Sequence, residues 1–223
     1  MTVLAFDVNE TLLDLAPLDP LFEDAFGDAS LRRQWFAQML QFAFVGGLTD
    51  RYVDFTTAQH AALVVLAGLK DVDLDPAQRD GIVDAMRSLP AHPDVEDGLA
   101  RLKDAGFTLA TLTNSPRDVA RDQIANAGLG AFFDAALSAD QVRVLKPRRE
   151  AYALVAETFD VALEEVRLVA AHGWDIAGAL AAGCAGAFVA RPGQALIPIG
   201  EQPDIVGDDL RAVAELIVAR DRP

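Results

Sequence analysis

Four groups of polar side chains border short apolar runs in this sequence, and each group could contribute to catalysis. The groups are Asp7 after the run 3–6, Thr113 with Asn114 after the run 107–112, Lys146 before Pro147, and Asp175 after the run 166–170. Taken singly, Asp and Thr are also typical helix caps or turn residues, and a lysine before a proline is typical of a surface loop. Together they could form a site in which a carboxylate nucleophile is kept ionised by a nearby positive charge.

The apolar runs predict buried strands, and helical patterns lie between them. Strands are expected at 3–6, 107–112, 166–170 and 187–190, with weaker candidates at 135–138 and 204–206. Helices are predicted at 95–105, 117–127, 150–159 and 176–182. This alternation predicts an α/β fold with a Rossmann-like parallel sheet and helices on both faces. Ligands bind at the carboxyl edge of such a sheet, which is where the four polar groups would meet.

Residues 15–90 interrupt the alternation with helical patterns and no clear strand. One helix could start after Ser30, a second is predicted at 55–69, and a third at 76–87, where Asp75 would be the cap and Pro76 the first helical residue. The segment could be an ordinary helical insertion, but its place directly after the first strand favours a helical cap over the functional edge. The predicted domains are therefore a catalytic core at 1–14 and 91–223 and a cap at 15–90.

Composition excludes several classes of protein. The chain has 223 residues, enough for roughly one and a half domains at about 150 residues each. Its net charge of −15 argues against nucleic acid and anionic membranes as partners. The single cysteine, Cys184, allows no internal disulfide, which fits a reducing compartment. No secretory signal is visible, and the most apolar stretch, 61–69, is too short to span a bilayer. We therefore expect a soluble, cytoplasmic protein.

The four polar groups, in this order, resemble the motifs of the haloacid dehalogenase superfamily of hydrolases. The matching segments are FDVNETLLD at 6–14, TLTNS at 111–115, LKP at 145–147 and VAAHGWD at 169–175. Within the superfamily the chain looks most like the type II, or L-2-haloacid, dehalogenases. Further matching residues are Trp35, the segment 50–55, Tyr152 and the segment 202–204. The resemblance implies a sheet core with an inserted helical cap, hydrolysis of short 2-haloacids, and a possible homodimer.

The resemblance also implies a role for each motif residue. Asp7 would displace the halide and form an aspartyl ester, Lys146 would keep Asp7 ionised, and Asp175 would orient or activate the hydrolytic water. Thr11, Thr113 and Asn114 would hold the carboxylates of Asp7 and of the substrate. The remaining candidates for substrate binding are Asn9, Phe36, Phe55, Tyr152, His172 and Trp174.

A magnesium-dependent phosphatase of the same superfamily is an alternative. Such phosphatases carry a second Asp two residues after the nucleophile, where this chain has Asn9, which cannot supply a proton as an acid. A leaving halide is a weak base and needs no acid. The neighbours of Asp175 include Trp174, Ile176 and Ala171 instead of further carboxylates, so we expect no metal and no cofactor. A non-catalytic binding protein is the third interpretation.

The chain departs from the type II pattern at several site positions. The family has an Arg that receives the halide where this chain has Phe36, an aromatic residue where it has Asn9, and a Gly where it has Glu10. In the fourth motif, a Ser and an Asn of the family are replaced by Ala170 and His172. His172 could position the water in place of the Asn, or it could be structural.

Overall fold

A parallel sheet forms the centre of the computed structural model, which describes residues 1–221 and residue 223. Its strands in the described chain are β1 (Val3–Phe6), β2 (Thr108–Thr113), β3 (Ala135–Ser138), β4 (Val166–Ala170), β5 (Ala185–Val189) and β6 (Ile205–Gly207). Their order is β3-β2-β1-β4-β5-β6, and each neighbouring pair is parallel. Because β1 lies between β2 and β4, the chain leaving β1 emerges in the middle of the carboxyl edge.

Helices are inserted after β1 and then alternate with the later strands. They are α1 (Asp19–Phe26), α2 (Leu31–Leu48), α3 (Phe55–Lys70), α4 (Pro76–Ala85), α5 (Val95–Asp104), α6 (Arg117–Asn126), α7 (Arg149–Phe159), α8 (Gly173–Ala182) and α9 (Leu210–Arg220). The α/β fold with a Rossmann-like parallel sheet and an inserted helical cap is confirmed. The cap contains α1 to α4; its exact limits at 15 and 90 stay a prediction.

Alternation along β1 divides the core into two layers. Leu4 and Phe6 pack into the cluster that includes α5, α9 and the cap helices, whereas Val3 and Ala5 pack into the cluster on the other face with α7 and α8. All four residues are fully buried. A strand buried on both faces has no polar positions to alternate, which is why β1 reads as a continuous apolar run.

Most predicted elements lie within a few residues of the observed ones. The limits predicted for β1, β3 and β4 are confirmed, while β2 and β6 each start one residue later than predicted. The predicted cap of α2 is wrong: the Ser30 side chain makes no capping bond and donates to Asp28 Oδ1 instead. The predicted cap of α4 is confirmed, because Asp75 accepts a hydrogen bond from the backbone of Ala77. Helices α1 and α9 had not been predicted.

The described helices include none that combines the length and the apolar character needed to cross a bilayer. The cytoplasmic location and the homodimer expected from the sequence stay predictions.

Candidate active site

Asp7 is the first residue after β1, and the sheet brings the other polar groups to it. Its backbone N–H donates to Val169 O at 3.0 Å, which prolongs the pairing of β1 with β4. The residues that follow β2 and β4 therefore lie on either side of Asp7, as expected for parallel strands that end at one edge. The side chain of Asp7 is buried.

Lys146 joins the two carboxylates of the site. It lies in the connection between β3 and α7, and its Nζ donates to Asp7 Oδ1 at 2.8 Å, Asp175 Oδ2 at 2.6 Å and Leu112 O at 2.8 Å. These three bonds use all three N–H groups of the ammonium. Asn114 fixes the lysine backbone, accepting from Lys146 N at 2.8 Å and donating to Lys146 O at 3.3 Å. The ammonium is thus held in one position between two buried carboxylates.

The charges of these buried groups set their protonation. Burial alone would raise the pKa of Asp7, but the charge of Lys146 and the bonds from His172 hold that pKa well below its usual value. Burial would likewise lower the pKa of Lys146, but the charges of Asp175 and Asp7 raise it. Asp7 is therefore an ionised carboxylate at neutral pH, which is the form that can act as a nucleophile.

Thr11 and Tyr152 donate hydrogen bonds to the carboxylates of Asp7 and Asp175, respectively. Thr11 Oγ1 donates to Asp7 Oδ2 at 2.6 Å and accepts from Ala171 N at 2.9 Å. The Tyr152 hydroxyl lies 2.7 Å from Asp175 Oδ1, to which it donates. Each side chain is fully or almost fully buried, so these residues orient the charged groups of the site.

His172 connects Asp7 to Glu10, a residue that the sequence analysis named only as a departure from the family pattern. Its Nδ1 lies 3.1 Å from Asp7 Oδ2 and its Nε2 lies 2.9 Å from Glu10 Oε2. Burial would lower the pKa of His172, but the bonds to Asp7 and Glu10 raise it from 6.5 to about 9. The imidazole is therefore a cation at neutral pH and donates from both nitrogens.

The backbone of Glu10 adopts a left-handed conformation, with φ of 61°. This region favours glycine, so a glutamate there is held against a modest steric cost. Its carboxylate accepts from Gln194 Nε2 at 2.8 Å and lies 3.7 Å from Arg32 Nη1 on α2. These contacts and the bond to His172 hold the side chain in place.

A cavity of about 10 Å³, here called the inner cavity, lies against Asp7. Its lining consists of Asp7, Asn9, Phe36, Leu40, Phe55, Thr113, Asn114, Lys146, His172 and Trp174. The ring of His172 is stacked between Phe36, at 5.8 Å between centroids, and Trp174, at 5.4 Å. A volume of this order holds about one water molecule.

The lining contains nine of the twelve residues that the sequence predicted for the site. The other three lie behind the lining: Thr11 bonds to Asp7, Asp175 to Lys146, and Tyr152 to Asp175. Tyr152 was predicted to bind substrate, but it contacts Asp175 and does not line the inner cavity. Asn9 lines the cavity, but its amide already donates to Ser115 and accepts from Gln123.

Sequence reasoning missed Leu40 and Glu10. Leu40 lies one helical turn after Phe36 on α2, so helical spacing could have added it to the lining. For Glu10 the signal was the glycine that the resembling family has at this position, because glycine favours the left-handed backbone that Glu10 adopts here.

Two comparisons connect this geometry to known proteins. The family of haloacid dehalogenase-like hydrolases matches residues 1–183, and the chain belongs to this family. It is 31% identical to the (S)-2-haloacid dehalogenase of Pseudomonas sp. strain YL, over 96% of this chain and 93% of that protein.

Solved structures show the same relation. The L-2-haloacid dehalogenase of Xanthobacter autotrophicus, with chloropropionic acid covalently bound, has a TM-score of 0.92 at 28% identity. That match covers 99% of this chain and 100% of the other. A HAD phosphatase from Thermococcus onnurineus, at 21% identity and a TM-score of 0.64, over 97% of this chain and 96% of the other, shares the fold.

We predict that Lys146→Met destabilises the protein by about 3–5 kcal/mol at neutral pH, because it leaves two buried carboxylates without their cation. Without the ammonium the pKa of Asp7 should rise, and the pKa of Asp175, which burial already holds above its usual value, should rise further, so the deficit should shrink as the pH falls. Urea unfolding between about pH 8 and about pH 5 measures this.

Lys103→Met is the matched control. It removes the pair between Lys103 and Asp134, which is partly exposed, and should cost less than about 1 kcal/mol. Equal losses in the two variants, or a Lys146→Met deficit that grows towards acid pH, would contradict the proposed charge balance.

Proposed function

We propose that this protein hydrolyses the carbon–halogen bond of short 2-haloacids through an ester formed on Asp7, without a metal ion. The observation that carries the proposal is that Asp7 is held ionised against a cavity whose described lining contains no other carboxyl group. A carboxylate nucleophile is thus present with no second carboxyl group in the lining to serve as its acid, which suits a leaving group that needs no proton.

In the first step, the Asp7 carboxylate attacks the carbon that bears the halogen, and the halide leaves with the electron pair of its bond. The bonds from Lys146, Thr11 and His172 fix the carboxylate, so little reorganisation is needed. The Thr113 hydroxyl and the one N–H of the Asn114 amide that is not bonded to Lys146 O are suited to hold the substrate carboxylate. The covalently bound chloropropionic acid in the Xanthobacter dehalogenase supports a covalent step.

In the second step, water attacks the carbonyl carbon of the ester, and the geometry favours His172 over Asp175 as its base. Both oxygens of Asp175 already accept hydrogen bonds, from Lys146 and Tyr152, and Asp175 does not line the cavity. His172 presents Nδ1 towards Asp7, while Glu10 accepts from Nε2. The role that the sequence assigned to Asp175 therefore passes to His172 in this proposal.

Formation of the ester would itself prepare His172 to act as a base. In the resting site the negative charge of Asp7 raises the pKa of His172. The ester carries no charge, so the pKa of His172 falls and Nδ1 releases its proton to solvent. Nδ1 then accepts a proton from the attacking water, and Glu10 stabilises the imidazolium that forms. As the bond between the Asp7 carbonyl carbon and the ester oxygen breaks, Nδ1 returns the proton to that oxygen, which releases the hydroxy acid and restores the Asp7 carboxylate.

The donor set favours a metal-free reaction over a phosphatase. In the described part of the chain, no group of three or more His, Cys, Asp or Glu side chains is arranged to hold a metal ion. The position between Asp7 and Asp175 is taken by the Lys146 ammonium, which forms an ion pair with each of them. A non-catalytic role fits less well, because a buried lysine with two carboxylates is costly to maintain.

Halide release from 2-chloropropionate, 2-bromopropionate and fluoroacetate, measured with a chelator present, tests the function. We expect release from at least one acid, unchanged by the chelator, and complete loss in Asp7→Asn, which keeps the shape of the side chain but lacks the nucleophile. Absence of release from all three, or magnesium-dependent turnover of an aryl phosphate, would contradict the proposal.

We also predict that His172→Gln accumulates the ester. Loss of a general base slows a step by about 10²–10⁴-fold, so the second step should become limiting. Intact-mass analysis after addition of 2-chloropropionate should show one added propionate group. In the unsubstituted protein, hydrolysis of the ester should speed up with pH as His172 loses its proton.

The control for this variant is His60→Gln, because His60 lies on α3 away from both the inner cavity and Asp7. It should show no accumulation. If Asp175→Asn accumulates the ester and His172→Gln does not, Asp175 is the base and the assignment to His172 is wrong.

A further inference from the structure

A second and much larger cavity lies next to the inner cavity. This outer cleft has a volume of about 530 Å³ and lies between the start of α2 in the cap and the segment 191–194 in the core. Phe36, Leu40, His172 and Trp174 line both spaces, so these four side chains form the wall between them. A substrate larger than water has to displace part of this wall to reach Asp7.

The outer cleft offers cations at one end and an apolar wall beside them. Arg32 and Arg33 are consecutive residues of α2 that line the cleft, and Leu15, Ala37 and Leu40 supply apolar surface. Arg32 already donates to Asp19 and lies near Glu10. Arg191 is likewise committed, to Asp94 and to the carbonyl oxygen of Thr11.

Arg33 differs from these two arginines. Its side chain makes no hydrogen bond or ion pair with any residue that the structure describes, and the residue is exposed. All the N–H groups of its guanidinium are therefore available for an anion at the mouth of the cleft. Arginine binds carboxylates through two parallel hydrogen bonds, so a carboxylate is the natural partner.

The overall charge makes a local cation important for an anionic substrate. The net charge of −15 repels small anions from most of the surface. At physiological ionic strength this repulsion is screened within about 8 Å, so the nearest charges decide what a cleft attracts. Three acidic residues line the cleft. Glu10 and Asp19 are paired with Arg32 or His172, and Asp14 accepts a hydrogen bond from the backbone of Ala16.

We propose that the outer cleft is a capture site for the carboxylate of the substrate, with Arg33 as the residue that binds it first. The acid then passes the wall of Phe36 and His172 to reach Asp7, while its carbon chain lies along the apolar side of the cleft. This inference rests on the proposed function, because it assumes an anionic acid as substrate.

The test measures association without turnover. Asp7→Asn cannot form the ester, so binding of 2-chloropropionate to it is followed in a stopped-flow instrument by the fluorescence of Trp174, which lines both spaces. Adding Arg33→Glu should lower the association rate constant about tenfold at low ionic strength and leave the dissociation rate nearly unchanged. Arg33→Gln should give a smaller decrease, and the differences should vanish at about 0.5 M salt.

Arg101→Glu is the matched control, since it makes the same change in net charge on α5 and does not line the cleft. Equal effects of Arg33→Glu and Arg101→Glu would overturn the capture site and leave the proposed function intact. Halide release that stops in Asp7→Asn establishes that function separately. Failure of 2-chloropropionate to bind Asp7→Asn, while the unsubstituted protein still releases halide, would overturn the capture site alone.

Discussion

The site depends on one interaction: the ammonium of Lys146 lies between the carboxylates of Asp7 and Asp175 with all its N–H groups used. Buried charges are tolerable here because the ammonium attracts both carboxylates at hydrogen-bond distance. The sheet order makes this possible, since β1 lies between β2 and β4 and delivers Asp7 between the residues that follow them. Thr11, Asn114 and Tyr152 then hold the three charged groups in place.

A second charge balance lies between His172 and its two carboxylate partners, Asp7 and Glu10. The resemblance expects an arginine at position 36 and an asparagine at position 172, and this chain has Phe36 and His172 instead. In the structure the two rings are stacked, and the imidazole carries a positive charge beside Asp7. The site therefore has a cation from the core, His172, in place of the arginine expected from the cap at position 36. The two substitutions are compatible because the flat face of Phe36 packs on the imidazole.

The sequence was sufficient to predict the fold and the position of Asp7, because both follow from the pattern of neighbouring residues. The run 3–6 is buried on both faces, and Asp7 follows it directly, so the apolar pattern locates both. Contacts between residues that are far apart in the sequence could not be predicted from such local patterns. The bond between Tyr152 and Asp175 and the position of Arg33 at the outer cleft depend on tertiary packing. The contact between Glu10 and His172 depends in addition on the left-handed backbone at Glu10.

The central claim is that Asp7 itself becomes the ester and that water then attacks its carbonyl carbon. A single turnover in ¹⁸O-labelled water, with the protein in excess over 2-chloropropionate, tests it most directly. We predict that the label appears in the peptide that contains Asp7 and that the hydroxy acid from this first turnover is unlabelled. Label in the hydroxy acid, with none in that peptide, would show that water attacks the substrate directly and would contradict the account.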